Sequence, residues 1–187
     1  MVVLSINEQV NKAICEVWLE NLKDDYHNFS LLKEDTMKNS FYFHLRNKLG
    51  EDFLNANNLR IFTEYYIDGE RIDLTVVKID PIKATTSYLG DCVIEVIAAI
   101  EMKYKGYQVK DEIFLADVKK VVSYIEEWES NTHFYVAFIR EKYVNLSDAE
   151  TWLDSYLGKE LKGNLTEMYA FWNEETDKMD WMLKNIK

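Results

Sequence analysis

The stretch VIAAIEMKYKG, residues 96–106, begins as an apolar strand and ends carrying charge. Glu101 and Lys103 stand two apart among Ile100, Met102 and Tyr104, and side chains two apart on a strand point to one face. A carboxylate and an ammonium therefore lie side by side at the end of a hydrophobic strand, where burying charge is costly unless it is paired or coordinated. Taken alone, the pair also fits a solvated strand end with an ordinary surface ion pair.

Upstream, LRIFTEYYIDGERIDLTVVKI, residues 59–79, sets Asp68-Gly69 between two β-rich runs, the strongest short signal for a hairpin. A two-residue turn makes Ile67 face Glu70 and, counting outward, Glu64 face Asp73. Glu64 and Asp73 then share one face, with Ile72, Leu74 and Val76 on the other. Asp73 on the second strand and Glu101 on the third can share one hard divalent cation through oxygen ligands, with the Met102 backbone carbonyl between them as a further ligand. Such an ion polarises a phosphoryl oxygen and activates water, and Lys103 on the same face can hold that water or steady developing negative charge. Three acids on one face require either a cation or raised pKa values. Glu64 itself fits better as a cross-strand partner of Arg71 or Lys103 than as a ligand.

The flanks supply the rest of the element order. Ser5 and Glu8 form a capping box ahead of Ile6, Val10, Ile14, Val17 and Leu22 at helical spacing. A second helix is expected from Glu34 to Leu49, with Met37, Phe41, Leu45 and Leu49 on one face and Gly50 as its stop. IFLADVKKVVSYIEEW, residues 113–128, carries the helical stripe Leu115, Val118, Val122 and Ile125, and HFYVAFI, residues 133–139, reads as a fourth strand. The remainder reads as helical. Ser147 and Glu150 make another capping box before Trp152, and Met168, Phe171 or Trp172, Glu175 and Met179 fall on one amphipathic face. The expected fold is α/β (α+β): a mixed four-stranded sheet flanked by helices, with an N-terminal helix and a C-terminal helical extension over residues 145–187. The whole chain, 1–187, is expected to form a single domain.

With 33 acidic against 22 basic residues, the net charge is −11, which penalises any broad affinity for phosphate backbones. Five lysines against three acids between Lys103 and Lys120 leave room for a local basic patch. No window approaches a membrane span, and the N-terminus lacks the basic leader of a signal peptide. Cys15 and Cys92, far apart, read as reduced core thiols of a cytoplasmic protein. His27, His44 and His133 are scattered without the paired spacing of zinc ligands.

GERIDLTVV followed by AAIEMKYKG resembles the signature of the PD-(D/E)XK, or restriction-endonuclease-like, nuclease superfamily, and residues 31–140 follow the similar core order αβββαβ. The resemblance implies that Asp73 is the metal-binding aspartate and that Glu101 and Lys103 are the Glu-x-Lys pair of a Mg²⁺- or Mn²⁺-dependent enzyme cutting DNA. It also implies an acid on the preceding helix, for which Glu34 is the candidate and Asp35 fits nearly as well. LADVKKV similarly puts Asp117 and Lys120 near the site, although the two also fit an i, i+3 ion pair. Ile72 stands where the family carries proline. The expected function is phosphodiester hydrolysis in DNA, bound weakly given the acidic charge. The alternative is a catalytically idle protein on the same fold that binds or self-associates, with the aromatic C-terminal helices as a homodimer surface.

Overall fold

The Asp-Gly signal builds the first hairpin where the sequence places it. In the computed structural model, which describes residues 4–67, 69–105, 111–127, 131–141 and 164–186, strand Leu59–Ile67 (β1) pairs antiparallel with Glu70–Ile79 (β2), and Ile67 lies opposite Glu70. Gly69 takes φ +88°, the left-handed conformation such turns require and glycine adopts without penalty. Val93–Lys105 (β3) runs antiparallel to β2, and His133–Arg140 (β4) runs parallel to β3. Four of the strands are therefore those expected.

The sheet does not stop there. Asn164–Asn173 (β5) lies parallel to β4, and Lys178–Ile186 (β6) returns antiparallel, giving six strands in sequential order. This corrects the four-stranded sheet and, over residues 164–186, the C-terminal helical extension, whose first part, 145–163, lies outside the described residues. The helical spacing of Met168, Phe171 and Met179 is real but secondary. Along β6 the period is two, with Met179, Trp181 and Leu183 packed against one core, and Asn173 to Lys178 form the turn. β5 is buried on both faces from Leu165 to Ala170, so its apolar run is continuous and hides the alternation. With residues 164–186 in strands, there are no aromatic helices there to form a homodimer. Trp181 instead packs at a tilt against Trp18, ring centroids 4.7 Å apart, and the Trp18 indole N–H donates to the Met182 carbonyl at 3.3 Å. The capping box at Ser147 and Glu150 lies outside the described residues.

Helices cover both faces. On one, Ile6–Glu16 (α1) runs through a π-helical stretch, Val17–Leu22, into Lys23–His27 (α2). The Ser5–Glu8 capping box closes its start, with Ser5 N–H donating to Glu8 Oε2 at 2.7 Å. Glu34–Leu49 (α3) ends at Gly50, φ +77°, and leads into Glu51–Ala56 (α4). Trp18, Leu22, Met37, Phe41 and Leu45 are fully buried against Leu74, Val76, Ile100 and Met102 of the sheet. On the other face, Asp111–Glu127 (α5) sets Phe114, Val118 and Val122 against Phe134, Val136 and Phe138. Ile72 joins this second cluster, not that of Leu74 and Val76 as expected from alternation. The irregularity coincides with Glu64, which adjoins Tyr65, the register partner of Ile72, and whose φ of +55° breaks the strand geometry.

The first helical run ends in a Schellman motif. Ser30 N–H donates to the Asp25 carbonyl at 2.8 Å and Phe29 N–H to the Tyr26 carbonyl at 3.1 Å, which places Phe29 at the left-handed position, φ 59°, that glycine favours. Its ring is 96% exposed and returns no packing. Phe29→Gly is therefore expected to raise stability by about 1 kcal/mol, read by thermal or urea unfolding; a loss of stability would mean that the ring is held by contacts.

Candidate active site

The site is a notch where two neighbouring strands stop pairing. The β2–β3 ladder runs from Ile79 and Val93 as far as Leu74 and Ile100, yet both strands continue beyond it. At the next step stand Asp73 and Glu101, 7% and 5% exposed. Instead of continuing the ladder, Met102 N–H donates to Asp73 Oδ2 at 2.8 Å. Because the N–H and C=O of a strand residue point to the same edge, the Met102 carbonyl faces this notch as well.

Cations from four elements pair with the acids. Lys38, from α3, lies 2.9 Å from Asp73 Oδ1 and also binds Glu64. Arg71, on β2, meets the same Glu64 at 2.7 Å, as its cross-strand position leads one to expect. Lys120, from α5, donates to Glu101 Oε1 at 2.8 Å and to the Arg71 carbonyl. Lys103 is held at 3.1 Å by Glu34 of α3 and at 3.1 Å by Asp117 of α5, although the geometry gives Asp117 Oδ2 no aligned hydrogen bond. Asp117 and Lys120 thus each pair with β3 and not with one another. Asp35 pairs with exposed Lys33 at 2.7 Å instead, which leaves Glu34 as the acid of that helix turned to the site.

The electrostatics follow from burial. Burial pushes the Glu101 carboxyl up to about 8, the charge of Asp73 adds to the shift, and Lys120 opposes it. Burial likewise raises Asp117, against the pull of Lys103. Burial works against the charges of Lys38, Lys103 and Lys120, but their carboxylate partners outweigh it and all three ammonium groups lie above the ordinary lysine range. Both of the outcomes expected for crowded acids are present, ion pairing and a raised pKa.

Of the residues singled out from sequence, Asp73, Glu101, Glu64 and Lys120 are brought to the notch by these contacts, while Lys103, Glu34 and Asp117 bind one another beside it, the charge of Asp117 reaching Glu101. Lys38 was not foreseen. Its signal was its place one turn after Glu34 and on the stripe of Phe41 and Leu45, where a lysine must find buried partners. Every donor oxygen is of the hard kind that Mg²⁺ and Mn²⁺ prefer, and a shared cation would relieve the confrontation of Asp73 with Glu101. Among the described residues, no three His, Cys, Asp or Glu side chains are already gathered as a metal cage. Any ion at Asp73 and Glu101 would take its other ligands from the main chain and water. A separate cavity of about 530 Å³, walled by Tyr26, Phe29, Leu31, Tyr104 and Trp172, includes none of the notch residues among its described lining. No described helix is long and apolar enough to cross a membrane.

No protein family matches the chain, nor does any curated protein sequence. Among solved structures, SfsA from Pyrococcus furiosus in complex with Ca²⁺ is a distant structural neighbour, with TM-score 0.38 and 10% identity, covering 79% of this chain. The chain spans 62% of that protein, and likeness at this level carries no functional conclusion.

The raised pKa of Glu101 fixes a pH dependence. Between the ordinary carboxyl value, about 4.3, and about 8, folded Glu101 keeps a proton that the unfolded chain has lost. Its contribution to stability is therefore greatest below the unfolded value, falls as pH rises through this window and is constant above it. Relative to wild type, Glu101→Gln should gain stability across the window by at most about 1.4 kcal/mol per pH unit, measured by urea unfolding from pH 4.5 to 9. A pH-independent difference would place Glu101 in a solvated, unperturbed setting.

Proposed function

We propose that this chain is a metal-dependent nuclease of the PD-(D/E)XK kind that hydrolyses phosphodiesters in DNA. What supports the proposal is that Asp73 and Glu101 stand together where the β2–β3 ladder ends, with Lys103 two residues on along β3 in an ion pair with Asp117. Asp73 and Glu101, with the Met102 carbonyl, would hold Mg²⁺ or Mn²⁺, which when bound supplies Lewis acidity toward a phosphoryl oxygen and a water of lowered pKa.

The chain's own groups do the positioning. Glu34 and Asp117 grip Lys103 from opposite faces of the sheet, so its ammonium is preorganised, which is what makes a charge effective at a developing oxyanion. Lys103 orients the attacking water and meets the charge that grows on the phosphate oxygens. Lys120 holds Glu101, and Met102 N–H fixes the Asp73 carboxylate. The net charge of −11 makes the DNA contact weak and sensitive to salt.

A second function has its own support. Each of these acids has a cationic partner within the chain, as befits a catalytically idle protein that uses the fold for binding. Cleavage of single-stranded, linear duplex and branched DNA at low salt with Mg²⁺ or Mn²⁺ separates the two. The nuclease cuts at least one substrate, Asp73→Asn loses metal binding and cleavage together, and Lys103→Ala loses roughly 10²–10³ in rate while still binding metal. If wild type cuts none of them, the idle function stands in its place.

A further inference from the structure

Lys38 is the one lysine among the described residues that is buried, 7% exposed, and it sits on the acid side of the notch. Its ammonium lies 2.9 Å from Asp73 Oδ1, while Met102 N–H takes Oδ2. Both oxygens of the principal candidate ligand therefore carry a donor from the chain itself. A divalent ion and an ammonium on the same carboxylate repel each other strongly in a partly desolvated site. One of the two must give way.

The structure also holds a place for the ammonium to go. Lys38 binds Glu64 as well as Asp73. Glu64 occupies a left-handed backbone position, φ +55°, within β1, a conformation disfavoured for a residue with a side chain and kept only where its surroundings enforce it. That turn directs its carboxylate toward Lys38, and Arg71 steadies it at 2.7 Å.

We propose that Lys38 is a built-in counter-ion: it occupies the cation side of Asp73 until a divalent metal loads, and then retires onto Glu64 alone. The proposal rests on the metal-dependent function above. Lys38 thereby sets the metal concentration at which the site fills, keeping the acids neutralised when it is empty. It is a positioning residue and touches no reacting atom.

Two variants displace metal affinity in opposite directions. Lys38→Met removes the competitor and should tighten Mg²⁺ binding by about tenfold or more, whereas Glu64→Gln leaves the ammonium on Asp73 alone and should weaken it by a comparable factor; both are read by calorimetry on the full chain. A structural lysine would give weaker binding on removal, not tighter. The movement is read separately from the ¹⁵N-lysine ammonium resonance, identified by its loss in Lys38→Met, which should shift when wild type or the Glu64→Gln protein takes up Mg²⁺. Mg²⁺ binding by wild type with an unmoved Lys38 resonance, or with no tightening in a folded Lys38→Met protein, overturns the proposal and leaves the metal function standing. Absence of Mg²⁺ binding in wild type and Lys38→Met alike overturns both.

Discussion

Two buried carboxylates face each other across the gap where β2 and β3 part, and most of the local structure answers to their charge. A carboxylate taken out of water without partners is strongly unfavourable, and stripping one partner from a buried ion pair costs about 3–5 kcal/mol. The chain meets this with one lysine from each face of the sheet, Lys38 from α3 and Lys120 from α5, and a main-chain donor, Met102 N–H. What ion pairing does not cancel appears in Glu101, whose carboxyl holds its proton up to about 8. Such residual stress marks a place where a further positive charge would be accommodated.

The fold makes the convergence possible because a sheet covered on both faces can receive side chains from either side at its end. α3 brings Glu34 and Lys38 one turn apart, with Phe41 and Leu45 continuing the same stripe into the core. α5 brings Asp117 and Lys120 on a helix anchored by Phe114, Val118 and Val122. Lys103, at the end of β3, is gripped by an acid of each helix. Through that lysine the two helices are coupled across the sheet, and a change at either would be felt at the notch.

Much of this was legible in the chain because the signals were local. The capping box of α1, the bounds of α3 with its stop at Gly50, and the register set by Asp68-Gly69 each depend on a few neighbouring residues. So does the assignment of Asp73 to the second strand and of Glu101 and Lys103 to the third. The C-terminal hairpin was misread as helix because β5 is buried on both faces and loses its alternation, while Met168, Phe171 and Met179 happen to fall at helical intervals. Ile72 lies on the other face where Glu64, next to its register partner Tyr65, leaves the strand conformation, and no residue in that stretch announces a positive φ. The helical stripe marks Lys38 as buried, but its acids come from β1 and β2, and which partners it finds has no local signature.

The notch between β2 and β3 is proposed as a divalent-cation site. Anomalous diffraction from crystals soaked in Mn²⁺ tests it most directly. The account predicts a single strong peak within coordination distance, about 2.0–2.3 Å, of both an Asp73 and a Glu101 carboxylate oxygen. A fully occupied ion elsewhere, or none at the notch at millimolar Mn²⁺ above pH 8, where Glu101 is ionised, would contradict it.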